Sequence, residues 1–242
     1  MKVLKFTLSG KTAFFKKPEV NTYFYFTYGN IHKVAILGIF GAILGYDGYN
    51  QMVKDDVYPE FYEKLKEVKI SIVPGTKNGY IPKKIQRFNN SVGYASKEQG
   101  GNLIVKEQWL ENPAWDIYVL INDKETEHLE KAIVNQQCVY IPYLGKNDHP
   151  ADIKNAIIIE NADSKEHASF IHSFVPKEWI VLDLEDEEEE IDHPFKYEEY
   201  LPVSLDSEMN LYQLQNFVYS NMAVIETKCE VIHAEGKNIV FY

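Results

Sequence analysis

Thirteen consecutive residues without a charge, Val34–Tyr46 (VAILGIFGAILGY), constrain this chain more than any other stretch. As a helix they extend about 20 Å, at roughly 1.5 Å per residue. A membrane span needs about 20 residues, so the run is too short for an anchor. Gly38, Gly41 and Gly45 do not give the G-x-G-x-x-G spacing of a dinucleotide loop. Each glycine inside a helix costs about 1 kcal/mol relative to alanine, so three of them point to close backbone packing of a buried helix against a sheet. Asn30 is the expected N-cap and Gly45 the expected terminator. Asn30, His32 and Lys33 stand where helix N–H groups are unpaired and the dipole is positive. That is either an anion site or an ordinary polar helix start.

Around this helix the pattern alternates between strands and breaks. Lys2–Ser9 reads as a strand, Val68–Val73 as a second closed by Pro74-Gly75, and Leu103–Lys106 and Asp116–Ile121 as two more separated by Asn112-Pro113. Thr22–Tyr28, dense in aromatics, is a strand or an extended loop. Lys124–Asn135 is a helix capped by Asp123, with Leu129, Ala132 and Ile133 inward, and Val139–Ile141 is a short final strand. The order is strand, helix, strand, strand, helix, strand: an α+β, ferredoxin-like (RRM-like) β-α-β-β-α-β domain over residues 1–150. The aromatic RNP1 pattern of an RRM is absent, so bases are not expected on an open sheet face. Residues 151–242 form an acidic C-terminal region packing on that domain. In it, Asn210–Ala223 reads as a helix, and Ala223–Ile232 with Ile239–Phe241 as strands of a small closing sheet. Glu185–Asp192 holds seven acids in eight residues, the composition of a solvated loop rather than a hard-cation site.

Charge divides the chain unevenly. Net charge is −11, but residues 1–106 carry 16 Lys and Arg against 8 Asp and Glu, while residues 107–242 carry 9 against 28. A basic half suits a polyanion, and the acidic half suits something else. The insertion Pro74–Asn102 concentrates the basic part: Lys77, Lys83, Lys84, Arg87 and Lys97 against one acid, with Tyr80, Phe88 and Tyr94 interleaved. Lysines and arginine neutralise phosphates and rings stack on bases, so the insertion is a candidate RNA-contacting hairpin; the alternative is a flexible surface loop. Lys11, Lys16 and Lys17 make a second basic segment after the first strand. In the turn Tyr143–Pro150, Gly145 with Lys146 either lets backbone approach a phosphate or simply leaves the strand tightly. Cys138 and Cys229 match no metal-ligand spacing and read as reduced thiols of a cytoplasmic protein. No secretory leader, metal site or cofactor motif is expected.

Four segments together, KVLKFTLSG, IHKVAILGIFGAILGY, LIVKEQWLENPAWDIYVLI and YIPYLGKNDHPADI, resemble the Cas five family over about residues 1–155. These are the small RAMP-type subunits of type I CRISPR surveillance complexes (Cascade), and the overall look is closest to type I-B. The resemblance implies a ferredoxin-like domain with an inserted β-hairpin thumb, here about residues 74–102. It implies binding of the 5′ handle of the CRISPR RNA and contact with the large and backbone subunits. It also places target DNA near the PAM-proximal end of the heteroduplex. The helix front at Asn30, His32 and Lys33 would line the handle pocket, with Lys16 and Lys17 nearby; Tyr28 and Lys106 are further expected RNA contacts.

Type I-C members of that family cut precursor RNA themselves with a Tyr, Lys and His group. Metal-independent cleavage needs a base for the 2′-OH and an acid for the leaving oxygen. Tyr28, His32 and Lys33 supply the residue types here. However, the catalytic Lys-His pair sits near the third strand, where this chain reads GGNLIVKEQWL, with Lys106 and no histidine. The expectation is a binder and not an enzyme. The alternatives are a precursor-processing endoribonuclease and a protein-interaction scaffold without RNA contact.

Overall fold

The computed structural model describes residues 1–19, 24–166, 168–183 and 193–242. The acidic run 185–192 lies outside the described residues, as does the start of the aromatic segment 22–28.

In chain order the elements begin with β1 (Val3–Ser9), β2 (Thr12–Ala13), α1 (Lys33–Leu44), α2 (Glu60–Leu65) and β3 (Ile70–Pro74). They continue with β4 (Lys83–Asn89), β5 (Ile104–Glu111), β6 (Ala114–Leu120), α3 (Lys124–Val134) and β7 (Asp152–Ile159). Apart from a short 3-10 helix at Lys177–Trp179, the remaining elements are strands: β8 (Asp163–Lys165), β9 (Val175–Pro176), β10 (Ile180–Leu182), β11 (Lys196–Leu205), β12 (Tyr212–Ser220), β13 (Val224–Thr227), β14 (Val231–Ala234) and β15 (Lys237–Ile239).

The main sheet is antiparallel in the order β3-β6-β1-β7. Helix α1 joins β1 to β3 and α3 joins β6 to β7. Strand period sorts β1 between two cores. Leu4, Phe6 and Leu8 face Ile36, Leu37 and Phe40 of α1. Val3 belongs to a second cluster with Val73, Tyr118, Ile232 and Ile239, so the sheet of β8, β14 and β15 covers the other face. Ion pairs from Lys5 to Glu235 (3.0 Å) and from Lys237 to Asp116 (3.1 Å) join those layers at their margin. The sheet of β8, β14 and β15 thus closes the face opposite the helices.

Four expectations are corrected. His32, not Asn30, caps α1: its Nδ1 accepts the Ala35 N–H at 3.2 Å. Val139–Ile141 is not a strand. The N–H groups of Val139 and Tyr140 instead donate to the carbonyls of Ile43 and Ala42, which the last turn of α1 leaves without helical donors. The fourth strand is β7, drawn from beyond residue 150. The segment beginning at Leu103 lies in β5, which pairs with β4 and β2 and not with the main sheet. Finally, the segment 210–223 is the strand β12. Its aromatic and β-branched residues Tyr212, Phe217, Val218 and Tyr219 suit a pleated surface, and the preceding strand β11 pairs with it as a hairpin.

Two glycines of the opening run behave as their sequence suggests. Gly45 terminates α1 with φ +82°, and a Cβ on Gly41 would meet the Phe61 Cβ at 2.5 Å, so α2 packs onto bare backbone there. Gly38 differs, because a Cβ there would meet nothing nearer than a Phe61 ring carbon at 4.0 Å.

Candidate nucleic-acid interface

Strands β4 and β5 form a hairpin, linked through residues 90–103 and continued on its far side by β2. It is longer than the inserted segment expected from sequence, because β5 runs to Glu111 before the chain turns at Asn112 (φ +48°) and Pro113 into β6. One face presents charge. Arg87 and Lys106 are direct cross-strand partners and both are exposed. Partners in such a register hold their Cβ atoms about 4.5–5.5 Å apart, and like charges there are destabilising. No carboxylate lies within ion-pair distance of either among the described residues. Lys77, Lys97, Lys11 and Lys16 are also exposed and without ion pairs there, and Tyr80 and Tyr94 are exposed rings beside them. Lys16 sits 4.4 Å above the Tyr25 ring. Lys83 is half-buried, and that burial lowers its ammonium below the usual range.

The hairpin's other face is a structural root. Glu107, 4% exposed, accepts from the Trp109 indole at 2.8 Å and from Lys146 at 3.1 and 3.2 Å. Trp109 stands edge-on to His149 at 4.5 Å, and His149 Nδ1 meets the Thr12 hydroxyl at 2.7 Å. Phe88 packs at 6.5 Å from Trp109, with the Lys146 ammonium 5.3 Å from its ring. Gly145 (φ +89°) makes its close approach to the Phe14 carbonyl, where a Cβ would lie 1.9 Å away. The loop after β1, the 143–150 turn and the hairpin base therefore converge, which sequence had no means to show. Lys146 is committed to protein carboxylates, Glu107 and Asp148. Lys17 pairs with Glu199 (3.6 Å) and Lys84 with Glu111 (3.7 Å).

At the helix front three of the expected ligands are internal. Asn30 is fully buried: it accepts from the Trp115 indole and donates to the Gly79 carbonyl, each at 2.9 Å. It therefore pins the start of the hairpin segment to the core. Lys33 turns away and donates to the Tyr242 carbonyl at 3.2 Å, and burial holds its ammonium down at about 8. His32 is 3% exposed, and burial pushes its imidazole down to about 3, so it is neutral. Tyr28 is buried under Lys17, with its phenol raised by the same desolvation.

Sequence reasoning missed what lies along α1. A groove of about 740 Å³ runs from His32, Phe15 and Lys16 past Gly38 to Tyr46 and Tyr49. Tyr140, Tyr143 and Tyr212 wall it, from segments far apart in sequence. The only available signal was the absence of bulk at Ala35, Gly38 and Ala42 on one helix face.

No family model matches the chain, and no curated protein matches it in sequence. In structure it is similar to a chain of a CRISPR RNA-guided surveillance complex, with a TM-score of 0.53 at 13% identity over 92% of this chain and 91% of that one. It is also similar to a CRISPR protein from Archaeoglobus fulgidus, with a TM-score of 0.54 at 10% identity over 99% and 98%. The fold is shared with CRISPR-associated proteins. Both alignments run through nearly the whole of each chain, so the shared fold takes in the strand-rich C-terminal part as well as the main sheet. Among the described residues no helix is long and apolar enough to cross a membrane.

Proposed function

We propose that this chain is the Cas five subunit of a type I CRISPR surveillance complex, and that it holds the 5′ handle of the guide RNA with the hairpin β4–β5 as its thumb. On this reading β1-α1-β3-β6-α3-β7 is the ferredoxin-like unit, and the large and backbone subunits are its protein neighbours. The observation that carries the RNA contact is the exposed Arg87–Lys106 cross-strand pair. A chain with net charge −11 has carboxylates to spare, yet this hairpin face keeps two cations opposite each other without one among the described residues. A phosphate between them would turn a repulsive pair into two charge-assisted contacts. Exposed Lys77, Lys97, Lys11 and Lys16 extend the same chemistry.

The reading is of a binder rather than a nuclease. Cleavage of RNA through its 2′-OH asks for a base and an acid that reach the backbone. Tyr28, His32 and Lys33 do not form such a group: Lys33 is held by Tyr242, and His32 spends its Nδ1 on the helix cap. Incubating the purified protein with repeat RNA in EDTA checks this, and specific cleavage abolished by His32→Ala would overturn it. For RNA binding, the test is Arg87→Glu with Lys106→Glu. Every single-strand phosphate that is no longer neutralised should flatten the slope of log K against log salt by about 0.7. Unchanged affinity and slope would favour a scaffold without RNA contact.

A further inference from the structure

We infer that the platform formed by the β11–β12 turn and the loop before α2 docks a basic amphipathic helix of a protein neighbour. This goes beyond the proposed function, which names protein neighbours and gives them no place on the molecule. Four aliphatic side chains stand in water here: Val53, Val57, Met209 and Leu211, at 67%, 52%, 72% and 57% exposure. The Asn210 amide joins the two segments, donating to the Val57 carbonyl at 3.0 Å. The four side chains therefore make one patch, not two scattered pairs. Single exposed apolar residues need no explanation, but a contiguous patch with a polar rim marks an interaction surface.

Each segment is braced by an aspartate. Asp206 accepts the N–H groups of Glu208, Met209 and Leu211 at 3.0, 2.8 and 2.8 Å, and its own N–H donates to the Leu211 carbonyl at 2.9 Å. Asp56 accepts the Val53 N–H at 2.8 Å and donates its own to the Val53 carbonyl at 3.1 Å. Asn210 holds φ +56°, a left-handed conformation that suits asparagine better than most residues. The patch is thus held in shape before any partner arrives, so its ordering cost falls on folding and not on binding.

The charges choose the occupant. The two segments carry Asp55, Asp56, Asp206 and Glu208 against Lys54. None of the five has an ion pair among the described residues. The backbone N–H groups around Asp206 hold its carboxyl below the usual range, so it stays charged. A rim of carboxylates repels a phosphate backbone, so RNA has no place here. It attracts lysines and arginines set beside apolar side chains. The backbone narrows the choice further. The N–H groups of Val53, Glu208, Met209 and Leu211 are spent inside the turns, so no strand edge is offered for a peptide to extend. Recognition is left to side chains. A helix with an aliphatic stripe flanked by cations presents them in the matching order.

Calorimetric titration of the full-length protein with a synthetic amphipathic helix of leucine and lysine tests this. Saturable binding that weakens as salt rises is expected. Met209→Ser with Leu211→Ser should weaken it about tenfold. Asp55→Lys with Glu208→Lys should weaken it too and remove the salt dependence. All four side chains are exposed and make no hydrogen bond or ion pair among the described residues, so Tm should not change. The same helix with glutamate in place of lysine should not bind. No saturable binding, or binding that both pairs of variants leave unchanged, would overturn the inference. A dimer in sedimentation that the serine pair dissolves would assign the patch to a second copy and equally overturn it. Arg87→Glu with Lys106→Glu should leave the helix bound as before, so the RNA reading and this one fail separately.

Discussion

Replacing Asn30 with alanine separates a structural role from a ligand role at one position. The side chain is fully buried and uses both ends of its amide, one on the Trp115 indole and one on the Gly79 carbonyl. Truncation strands a buried donor and a buried acceptor, since Trp115 is 0% exposed. Each stranded group costs about 1–3 kcal/mol, so the loss should be roughly 2–5 kcal/mol. For a chain of this size each kcal/mol lowers Tm by about 2–4 °C, which puts the drop at roughly 5–15 °C. Thermal unfolding measures it directly. A second variant, Trp115→Phe, keeps the ring and removes the indole N–H. In that background Asn30→Ala should cost about 1 kcal/mol less, the coupling energy of the indole–amide bond. Lys77→Ala is the control, exposed and without an ion pair among the described residues, and should weaken RNA binding with Tm unchanged. If Asn30→Ala instead kept Tm and lowered only RNA affinity, the network argument would be refuted and Asn30 would be a ligand.

Lys106→Glu places an acid opposite Arg87; it should raise stability by up to about 1 kcal/mol while lowering RNA affinity, read by melting and by titration. Lys146→Ala removes the cation beside the buried Glu107 and should destabilise by about 1–3 kcal/mol, whereas Glu107→Gln with Lys146→Met should recover most of that loss in urea titrations. Gly38→Ala has room for its methyl and should stabilise α1 by about 1 kcal/mol, while Gly41→Ala should destabilise, because its Cβ collides with the Phe61 Cβ. His32 titrates near 6.5 in the unfolded chain and at about 3 when folded, so between those values the unfolded state binds more protons. Its contribution is whole above about pH 6.5 and falls with acid, by roughly 2 kcal/mol at pH 5. His32→Asn, which keeps a capping side chain, should flatten that part of the dependence of Tm on pH.

What was legible in the sequence was what local chemistry decides. The run Val34–Tyr46 could only be a covered helix, Asp123 could only be a cap, and the basic insertion had to leave the core. Most of the failures share a cause: the partner that decides them is distant in the chain. The segment 210–223 is the exception: its partner β11 is the preceding strand, and its aromatic and β-branched residues already favoured a strand. Val139–Ile141 looked like a strand because it is apolar, but its N–H groups are used by the end of α1. Asn30 and His32 looked like ligands because a helix start is a good anion site in isolation; Trp115 and Gly79 claim the one and the cap claims the other. The tyrosine-walled groove was invisible because its walls come from segments near residues 49, 140 and 212. Charge on the hairpin was readable, but that Arg87 faces Lys106 depends on register, which alternation alone does not set.

The corner at Asn112 and Pro113 has a mechanical meaning. It is fastened on both sides, with the Asn112 N–H on the Lys11 carbonyl and the Pro113 carbonyl accepting from Gly10. Through it β5 passes directly into β6, which is flanked by β3 and β1 inside the main sheet. A pull on the hairpin tip is therefore transmitted along covalent backbone into an inner strand of the main sheet. The base of the hairpin is thus fastened at this corner, and a bend of the hairpin would have to arise above it.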